Sequence, residues 1–421
     1  MLPSLLLCVI GFVILTYAAD KLVEGASNLA FNLGVSKMVV GLTIVAAGTS
    51  LPELVVSVNA SIKGNPALSL GNVVGSNIMN VALILGIASL IQPIVCEKQM
   101  VRRETPIMIA VSGLVWYMAY TDNKISPYEG VLLLALFISY TIMSYILGRR
   151  ENAIAEEIKE KANHVLEIED KPEKPLTTGQ NVFYVLGGLV GLVIGAEALV
   201  RGSVTIAQSM GVSDEVIGLT LIAIGTSLPE LATSIVAARR GQSDIAVGNV
   251  VGSNIFNLLG IVGCAAALPL FMPAATEANY LIVSENMLGI HIPLMFVVGL
   301  GVLPIMYTGM KIVRLEGAFL IAAYIAYSVM LYQTAGSDAP VPPPPGKATT
   351  QAPANGNGQP GLPAVISPDS MPLPELTAPP ATLTIPASET VPVLNDAQQT
   401  LQGSDTPGIQ APEVITASGT P

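Results

Sequence analysis

Long apolar stretches separated by short polar connections fill the first 332 residues of the chain. Stretches of about 20 apolar residues are long enough to cross a bilayer as helices, and the ten-residue alternation of a membrane β-barrel is absent. The pattern predicts an all-α polytopic membrane protein. Its ten predicted transmembrane helices cover residues 3–33, 37–62, 66–91, 104–120, 126–147, 180–210, 213–239, 244–268, 287–308 and 312–332.

Two of these stretches are nearly the same sequence written twice. Residues 41–80 align without a gap with residues 218–257, at an offset of 177 (230 − 53), and 23 of the 40 positions are identical. This identity indicates an internal duplication. Each half holds five predicted helices, an odd number, so the second half is expected to enter the membrane upside down relative to the first. Two inverted repeats are the plan of many secondary transporters.

Composition and the repeat divide the chain into four predicted parts. Residues 1–148 form the first five-helix repeat and residues 179–332 the second. Residues 149–178 form a charged loop, with a helical extension and then a turn near Pro172 and Pro175. Residues 333–421 form a tail that carries 18 of the 31 prolines and is expected to be disordered, because it cannot bury a core.

Lysine and arginine are concentrated on one side of the predicted spans. The outer side holds only Lys63, Lys124 and Lys347 if the N-terminus is outside. The positive-inside rule then places both termini outside and the central loop in the cytoplasm, across an inner or plasma membrane. The basic residues on the cytoplasmic side are Lys37, Lys98, Arg102, Arg103, Arg149, Arg150, Lys159, Lys161, Lys171, Lys174, Arg239, Arg240, Lys311 and Arg314.

The remaining composition excludes several functional classes. The net charge of −11 argues against a nucleic acid partner, and membrane lipid is the expected surroundings. The three cysteines have neither metal spacing nor a disulfide framework, and the two histidines are isolated and interpreted as structural. The sequence contains no arrangement of a nucleophile and a general base that would indicate an enzyme.

Each copy of the repeat carries Gly-Thr-Ser-Leu-Pro-Glu in an otherwise apolar helix. Pro52 lacks an N–H and crowds the carbonyl of Gly48, and Pro229 does the same to Gly225. Both helices are therefore predicted to open by one turn, near Gly48–Pro52 and its counterpart. A second interruption is predicted near Gly75–Asn77.

The break carries hydroxyl groups and one carboxylate in each copy. Glu53 and Glu230 lie at the predicted bilayer centre, where a charged group is costly and marks a functional site by default. Two carboxylates with hydroxyl, carbonyl and amide oxygens form an all-oxygen set, which hard cations such as Ca²⁺ accept. The neighbours that share the helix face are Thr49, Ser50, Thr226 and Ser227.

Further along each copy, Gly-Asn-Val-Val-Gly-Ser-Asn places small and polar residues one turn apart. Gly71, Gly75, Gly248 and Gly252 are expected to allow close helix packing. Ser76 and Asn80 share one face, as do Ser253 and Asn257, and can supply neutral oxygens to the same cavity. The side chains left open between cation ligation and satisfaction of broken backbone are Asn72, Asn77, Asn249 and Asn254.

Charged residues near the ends of spans one and six also correspond. Asp20, Lys21 and Glu24 align with Glu197, Ala198 and Arg201. Such charges either extend to the membrane surface or take part in gating.

The paired motifs GTSLPE and GNVVGSNI resemble the two α repeats of the sodium/calcium exchanger family, within the cation/calcium exchanger superfamily. The resemblance covers residues 1–332 and is to the prokaryotic type, because the large regulatory insert of animal relatives is missing. It implies ten helices in two inverted halves. Helices two, three, seven and eight would enclose the ions, and helices one and six would slide as a gate.

Site residues follow from the resemblance by position. Glu53 and Glu230 would share Ca²⁺ with the carbonyls of Thr49 and Thr226. Asn80 matches the family, whereas Asn257 stands where some relatives carry Asp, which implies independence of K⁺. The residues that would form two mirror-image sodium sites are Ala46, Ser50 and Ser76, and Ala223, Ser227 and Ser253.

The sequence therefore predicts an antiporter that exchanges Na⁺ for Ca²⁺, with these two ions as cargo and no cofactor. Two carboxylates are neutralised by one Ca²⁺ or two Na⁺, and the family's three-for-one exchange would make transport electrogenic. The alternatives are H⁺/Ca²⁺ antiport, since carboxylates also carry protons, and a membrane protein that senses ions without transporting them.

Overall fold

A computed structural model describes residues 1–166, 177–211, 223–272 and 280–335. These residues are mostly helical, which confirms the all-α membrane class. Within the described ranges, seven helices are long and apolar enough to cross a membrane, and one bent pair makes an eighth. Three predicted features lie outside the described residues. They are the turn near Pro172 and Pro175, the beginning of the span 213–239, and the proline-rich tail from residue 336 onward.

The first half consists of six helical segments and two short strands. Two local signals set its first helix ends: α1 ends at Gly34 in the left-handed conformation that glycine favours, and Asn65 caps α4. The elements are α1 (Leu2–Leu33), α2 (Lys37–Thr49), α3 (Leu51–Ile62), α4 (Pro66–Ile91), β1 (Ile94–Val95), α5 (Thr105–Asp122), β2 (Lys124–Ile125) and α6 (Pro127–Leu166).

The second half repeats this order. Its first helix begins with a reciprocal capping box, in which Thr177 and Gln180 satisfy each other's main-chain N–H groups. The elements are α7 (Thr178–Ser209), α8 (Ala223–Thr226), α9 (Leu228–Arg239), α10 (Ser243–Phe271), β3 (Leu281–Ile282), α11 (Met287–Met310), β4 (Lys311–Ile312) and α12 (Arg314–Ala335). Described helices thus lie at all ten predicted positions.

The corresponding helices α1 and α7 run antiparallel along their whole lengths. Gly11 near the start of α1 lies against Gly195 and Leu199 near the end of α7, whereas Gly25 lies against Asn181 near its start. A methyl group on Gly11 would come within 2.6 Å of the Leu199 nitrogen, so glycine lets the two backbones touch. This antiparallel pairing is what an inverted repeat requires.

Two short antiparallel ribbons connect the halves. Ile94 in β1 pairs with Ile312 in β4, and Lys124 in β2 pairs with Ile282 in β3. Each ribbon pairs the connection before span four of one half with the connection between spans four and five of the other half. These strands could not be predicted from the sequence, because two residues are too few to show an alternating pattern.

The predicted interruption near Gly75–Asn77 is wrong. Helix α4 runs through these residues without a break, because no proline removes a backbone donor there. The irregularity comes one turn later, as a π-helical segment at Asn80–Ile84, and its counterpart in α10 is Phe256–Ile261. Such wider turns are frequent at functional sites, and here both include the asparagine of the repeat.

The repeated glycines differ in their surroundings. A methyl group on Gly252 would lie 2.6 Å from the Cα atom of Leu42, and one on Gly248 would lie 2.9 Å from the Met38 carbonyl oxygen. These two glycines therefore allow α10 to touch α2, as predicted. No described atom lies within 4 Å of the corresponding methyl position on Gly75, and for Gly71 the described contact is the end of Met287.

Candidate cation site

The site is organised by a break in the second helix of each half. Ser50 adopts φ −86° and ψ 10° between α2 and α3, and the two helices meet at an angle of 47°. Ser227 adopts φ −94° and ψ 10° between α8 and α9. Breaks are thus present within the predicted ranges Gly48–Pro52 and Gly225–Pro229, but each is a kink at a single serine and not an opened turn. Each proline lies in the first turn of the helix that follows.

Each break brings a hydroxyl group to the carboxylate of the other half. Ser50 Oγ donates to Glu230 Oε1 at 2.7 Å, and Ser227 Oγ donates to Glu53 Oε1 at 2.8 Å. Both carboxylates stand in the first turn of a helix, where the helix dipole favours negative charge, and both are 1% exposed. The two copies therefore cross at a pair of buried carboxylates.

A third buried carboxylate shows what a structural acid looks like in this fold. Glu104 accepts hydrogen bonds from Arg103 Nε at 2.7 Å and from the Tyr140 hydroxyl at 2.8 Å. No arginine or lysine in the described part of the chain pairs with Glu53 or Glu230. A buried carboxylate needs a partner for its charge, so the two repeat glutamates lack a cation that Glu104 already has.

Four asparagines form a second layer beside the glutamates. Asn77 and Asn254 each donate to the main-chain carbonyl of the other, at 3.3 and 3.2 Å. Asn80 donates to the side-chain oxygen of Asn254, and Asn257 donates to that of Asn77, both at 3.0 Å. Of the two roles left open for Asn77 and Asn254, their amide nitrogens take the backbone one, as a link between the two halves.

Around this crossing, four buried oxygens accept no hydrogen bond from the described residues. They are Glu53 Oε2, Glu230 Oε2, Asn80 Oδ1 and Asn257 Oδ1. Interior oxygens without a donor are costly, by about 1–3 kcal/mol each. Two carboxylates and two amide carbonyls are ligand types that Ca²⁺ and Na⁺ accept, so the residues present fit a hard cation.

Hydroxyl groups complete the surroundings. Ser76 Oγ lies 3.5 Å from Ser227 Oγ, and Ser253 Oγ lies 3.5 Å from the Ala46 carbonyl oxygen. Thr49 Oγ1 lies 3.1 Å from Asn249 Oδ1. Ala223 begins α8 and Thr226 ends it, beside Ser227. The structure thus brings the predicted hydroxyl groups of both motifs to the two glutamates.

Asn72 and Asn249 hold the glutamates in place. The Asn72 amide donates to the Glu53 carbonyl at 3.3 Å, and Asn249 does the same to the Glu230 carbonyl at 3.3 Å. Each amide also donates to a serine one turn further along, Ser57 at 3.0 Å or Ser234 at 3.1 Å. Of the two roles left open, these amide nitrogens take the backbone one.

Four further residues of the site were not predicted from the sequence: Ser57, Ser234, Met108 and Met295. Ser57 and Ser234 align within the repeat, which was a usable signal. Met108 and Met295 accept from Asn254 and Asn77 through their sulfur atoms, at 3.5 and 3.7 Å. They follow Pro106 and Pro293 by two positions, a correspondence outside the 40 strongly repeated positions.

An apolar helical bundle built from two antiparallel copies, with buried carboxylates where the copies cross, defines a membrane transporter of cations. A family model described as "Sodium/calcium exchanger protein" matches residues 3–146 and residues 180–333. The chain belongs to the sodium/calcium exchanger family. Members are transporters and not enzymes, and they carry Na⁺ and Ca²⁺ as cargo without a cofactor. This membership establishes exchange of a cation for Ca²⁺ by a multi-pass membrane protein.

Individual relatives agree with this assignment. The sodium/calcium exchanger MaX1 of Methanosarcina acetivorans is 35% identical over 354 residues, covering 78% of this chain and 98% of MaX1. The inner membrane protein YrbG of Escherichia coli is 36% identical over 270 residues, covering 64% and 81%. A solved structure of the sodium-calcium exchanger NCX_Mj superposes with a TM-score of 0.64 at 30% identity, covering 78% of this chain and 98% of that chain.

Proposed function

We propose that this protein exchanges Na⁺ for Ca²⁺ across an inner or plasma membrane by alternating access. The observation that carries the proposal is the pair of buried carboxylates, Glu53 and Glu230, which lack a cationic partner among the described residues. One Ca²⁺ or two Na⁺ neutralise two carboxylates, so the two ions compete for the same charge. Competition for one site is the basis of antiport.

The proposed Ca²⁺ ligands are the side chains of Glu53 and Glu230 and the main-chain carbonyls of Thr49 and Thr226. The position of the two threonines supports these carbonyls as ligands, since Thr49 and Thr226 are the last residues before the breaks at Ser50 and Ser227. Asn80 and Asn257 contribute amide oxygens from the π-helical segments. The proposed sodium sites use Ala46, Ser50 and Ser76 on one side, and Ala223, Ser227 and Ser253 on the other.

The proposed exchange is electrogenic. Two carboxylates with one bound Ca²⁺ have no net charge. The same carboxylates with three bound Na⁺ have a net charge of +1, so each cycle moves one positive charge across the membrane in the direction of Na⁺. The third Na⁺ needs neutral oxygens, and the hydroxyl groups of Ser76 and Ser253 and the Asn80 and Asn257 oxygens supply them.

The proposed orientation places both termini outside and the loop after α6 in the cytoplasm. Lys63 then lies at the outer end of α3, and Arg240 follows the inner end of α9. The excess of lysine and arginine on the inner side supports this orientation. The inner membrane location is supported by the relative YrbG, an inner membrane protein of Escherichia coli.

The experiment that tests the proposed function is Ca²⁺ uptake into proteoliposomes with an imposed ion gradient. An outward Na⁺ gradient alone, at equal pH inside and outside, is expected to drive Ca²⁺ accumulation. Uptake driven only by a pH gradient would establish H⁺/Ca²⁺ antiport instead. Specific Ca²⁺ binding without uptake under any gradient would favour the sensor alternative.

Replacing Asn257 with aspartate is expected to change the pH and K⁺ dependence of exchange. A third acid at this buried position crowds two existing carboxylates, so at least one takes up a proton or recruits another cation. Initial Ca²⁺ exchange rates, measured against pH with K⁺ or choline, should therefore fall more steeply with decreasing pH in the variant. The unmutated protein should be indifferent to K⁺.

Asn123→Asp is the matched control, since this asparagine is exposed in a turn between α5 and β2. Its pH profile should match that of the unmutated protein. The proposed role of Asn257 would be contradicted if the unmutated protein requires K⁺. It would also be contradicted if the pH profile of Asn257→Asp matches that of the unmutated protein.

A further inference from the structure

An ion cluster joins the first helix to the inner end of the site-forming helix α9. Arg240, directly after α9, donates from Nε to Asp20 Oδ1 of α1 at 2.7 Å, and its guanidinium lies 3.7 Å from Glu24. Lys21 pairs with Glu24 at 2.9 Å, and its ammonium group lies 4.9 Å from the ring centroid of Tyr184 on α7. This cluster connects both α1 and α7 to the end of α9.

The internal repeat supplies a second set of the same residues at the other end. With the offset of 177, Arg240 corresponds to Lys63 (240 − 177), and Asp20 corresponds to Glu197 (20 + 177). Both sets therefore have the same charges. A basic residue follows the site-forming helix, α9 or α3, and an acidic residue lies on the first helix of a half, α1 or α7. In the structure, however, Glu197 accepts from Arg201 on its own helix, and Lys63 is exposed.

Helix packing shows the same asymmetry as the ion pairs. Helix α1 lies along α9, whereas α7 barely contacts α3 in the described part of the chain. As a result, Val56 on α3 is 36% exposed, but its counterpart Thr233 on α9 is fully buried. Similarly, Asn59 is exposed, while its counterpart Val236 is 9% exposed. Helix α1 thus covers this face of α9, whereas α7 leaves the equivalent face of α3 uncovered.

Helices α1 and α7 are closely packed against each other. Glycines on both helices bring the backbones into contact along their lengths: Gly11, Gly25, Gly188, Gly195 and Gly202. Because the pair is antiparallel and related by the repeat, a slide that takes α1 off α9 carries α7 toward α3. The same slide separates Asp20 from Arg240 and brings Glu197 toward Lys63.

We propose that Asp20–Arg240 and Glu197–Lys63 are alternating ion pairs, formed one at a time, that latch the two ends of the transport passage. The first pair closes the end beside Arg240, which is the cytoplasmic end in the proposed orientation. The second pair closes the end beside Lys63 in the opposite state. This inference rests on the proposed antiport function, since only an alternating transporter needs both latches.

The strength of the observed pair suits a latch that must open in every cycle. The Arg240 and Asp20 side chains are 33% and 39% exposed, so water weakens their attraction. Exposed ion pairs change an equilibrium by only about two- to fivefold, which biases a conformation without trapping it. Glu197 has Arg201 as its partner while the outer pair is broken, so neither acid is left uncompensated.

Cysteine cross-linking tests the exchange of partners directly. Lys63→Cys and Glu197→Cys are combined in protein whose Cys8, Cys96 and Cys264 are replaced by serine, and reaction with a reducible bifunctional thiol reagent is timed. Adding Arg240→Gln breaks the inner latch and is expected to raise the cross-linking rate by about two- to fivefold. Asp20→Asn should have the same effect, as an independent variant of the same pair.

The matched control is Arg239→Gln, because this neighbouring arginine is also exposed and forms no ion pair in the described part of the chain. It should leave the cross-linking rate unchanged. Equal rates with intact and broken inner latch, or an equal rise with Arg239→Gln, would overturn the proposal. Cross-linking needs no transport, so this failure is distinguishable from failure of the Na⁺-driven uptake test.

Discussion

Replacing either Glu53 or Glu230 with glutamine is expected to abolish Ca²⁺ exchange. The substitution keeps the shape of the side chain and removes one of the two negative charges that face the crossing. Bound Ca²⁺ would then lose one of its two carboxylate partners, and breaking a buried ion pair typically costs about 3–5 kcal/mol, which corresponds to a loss of more than a hundredfold. Exchange is measured as Ca²⁺ flux into Na⁺-loaded proteoliposomes, at equal amounts of inserted protein.

The control for this prediction is Glu285→Gln. Glu285 is exposed in the connection before α11, and its replacement removes the same charge without touching the crossing. Its exchange rate should equal that of the unmutated protein. Near-normal exchange from Glu53→Gln or Glu230→Gln, in protein that elutes as one species, would refute the proposed ligands.

Gly252→Ala is expected to lower the stability of the folded protein substantially. The added methyl group would lie 2.6 Å from the Leu42 Cα and 2.8 Å from the Ala46 Cβ, and neither the Leu42 backbone nor α10 can yield cheaply. Overpacking of a close contact typically costs roughly 1–3 kcal/mol, and a backbone contact belongs at the upper end. The measurement is the thermal midpoint of detergent-purified protein, followed by size-exclusion chromatography after heating.

Gly187→Ala serves as the matched change on an open helix surface. No described atom lies within 4 Å of its methyl position, and alanine favours helix over glycine by about 1 kcal/mol. Its midpoint should stay the same or rise slightly. Equal midpoints for the two variants would show that α2 and α10 are not in contact at Gly252.

The helix breaks and the carboxylate pair could be predicted from the sequence because both rest on local chemistry. Proline removes a donor wherever it stands in a helix, so Pro52 and Pro229 predict breaks without knowledge of the fold. The duplication then places Glu53 and Glu230 in equivalent positions. Two carboxylates in apolar helices have few uses, and cation binding is the main one.

The hydrogen bonds between a serine of one half and the glutamate of the other half could not be predicted in the same way. Ser50 donates to Glu230 and not to Glu53, which lies on its own helix, because the two breaks cross at the centre. Likewise, the interruption expected near Gly75–Asn77 became a continuous helix followed by π-helical turns. Glycine permits a break but does not force one, and the outcome depends on what packs against it.

The charged residues near the ends of spans one and six show a second limit of sequence reasoning. Their correspondence was visible in the repeat, but two roles stayed open for them. The structure resolved one half of the question, since Asp20 binds Arg240 across helices while Glu197 binds Arg201 within its own helix. Equivalent residues of the two halves thus have different ion-pair partners, and the repeated sequence alone does not distinguish between them.

The central claim is that Na⁺ and Ca²⁺ compete for one site formed jointly by both repeats. Equilibrium binding of radioactive Ca²⁺ to the purified protein, at increasing Na⁺ and constant ionic strength, tests it most directly. We predict that Na⁺ displaces Ca²⁺ completely and cooperatively, because two or more Na⁺ replace each Ca²⁺ at the carboxylates. Ca²⁺ binding that is unaffected by Na⁺ would contradict a shared site.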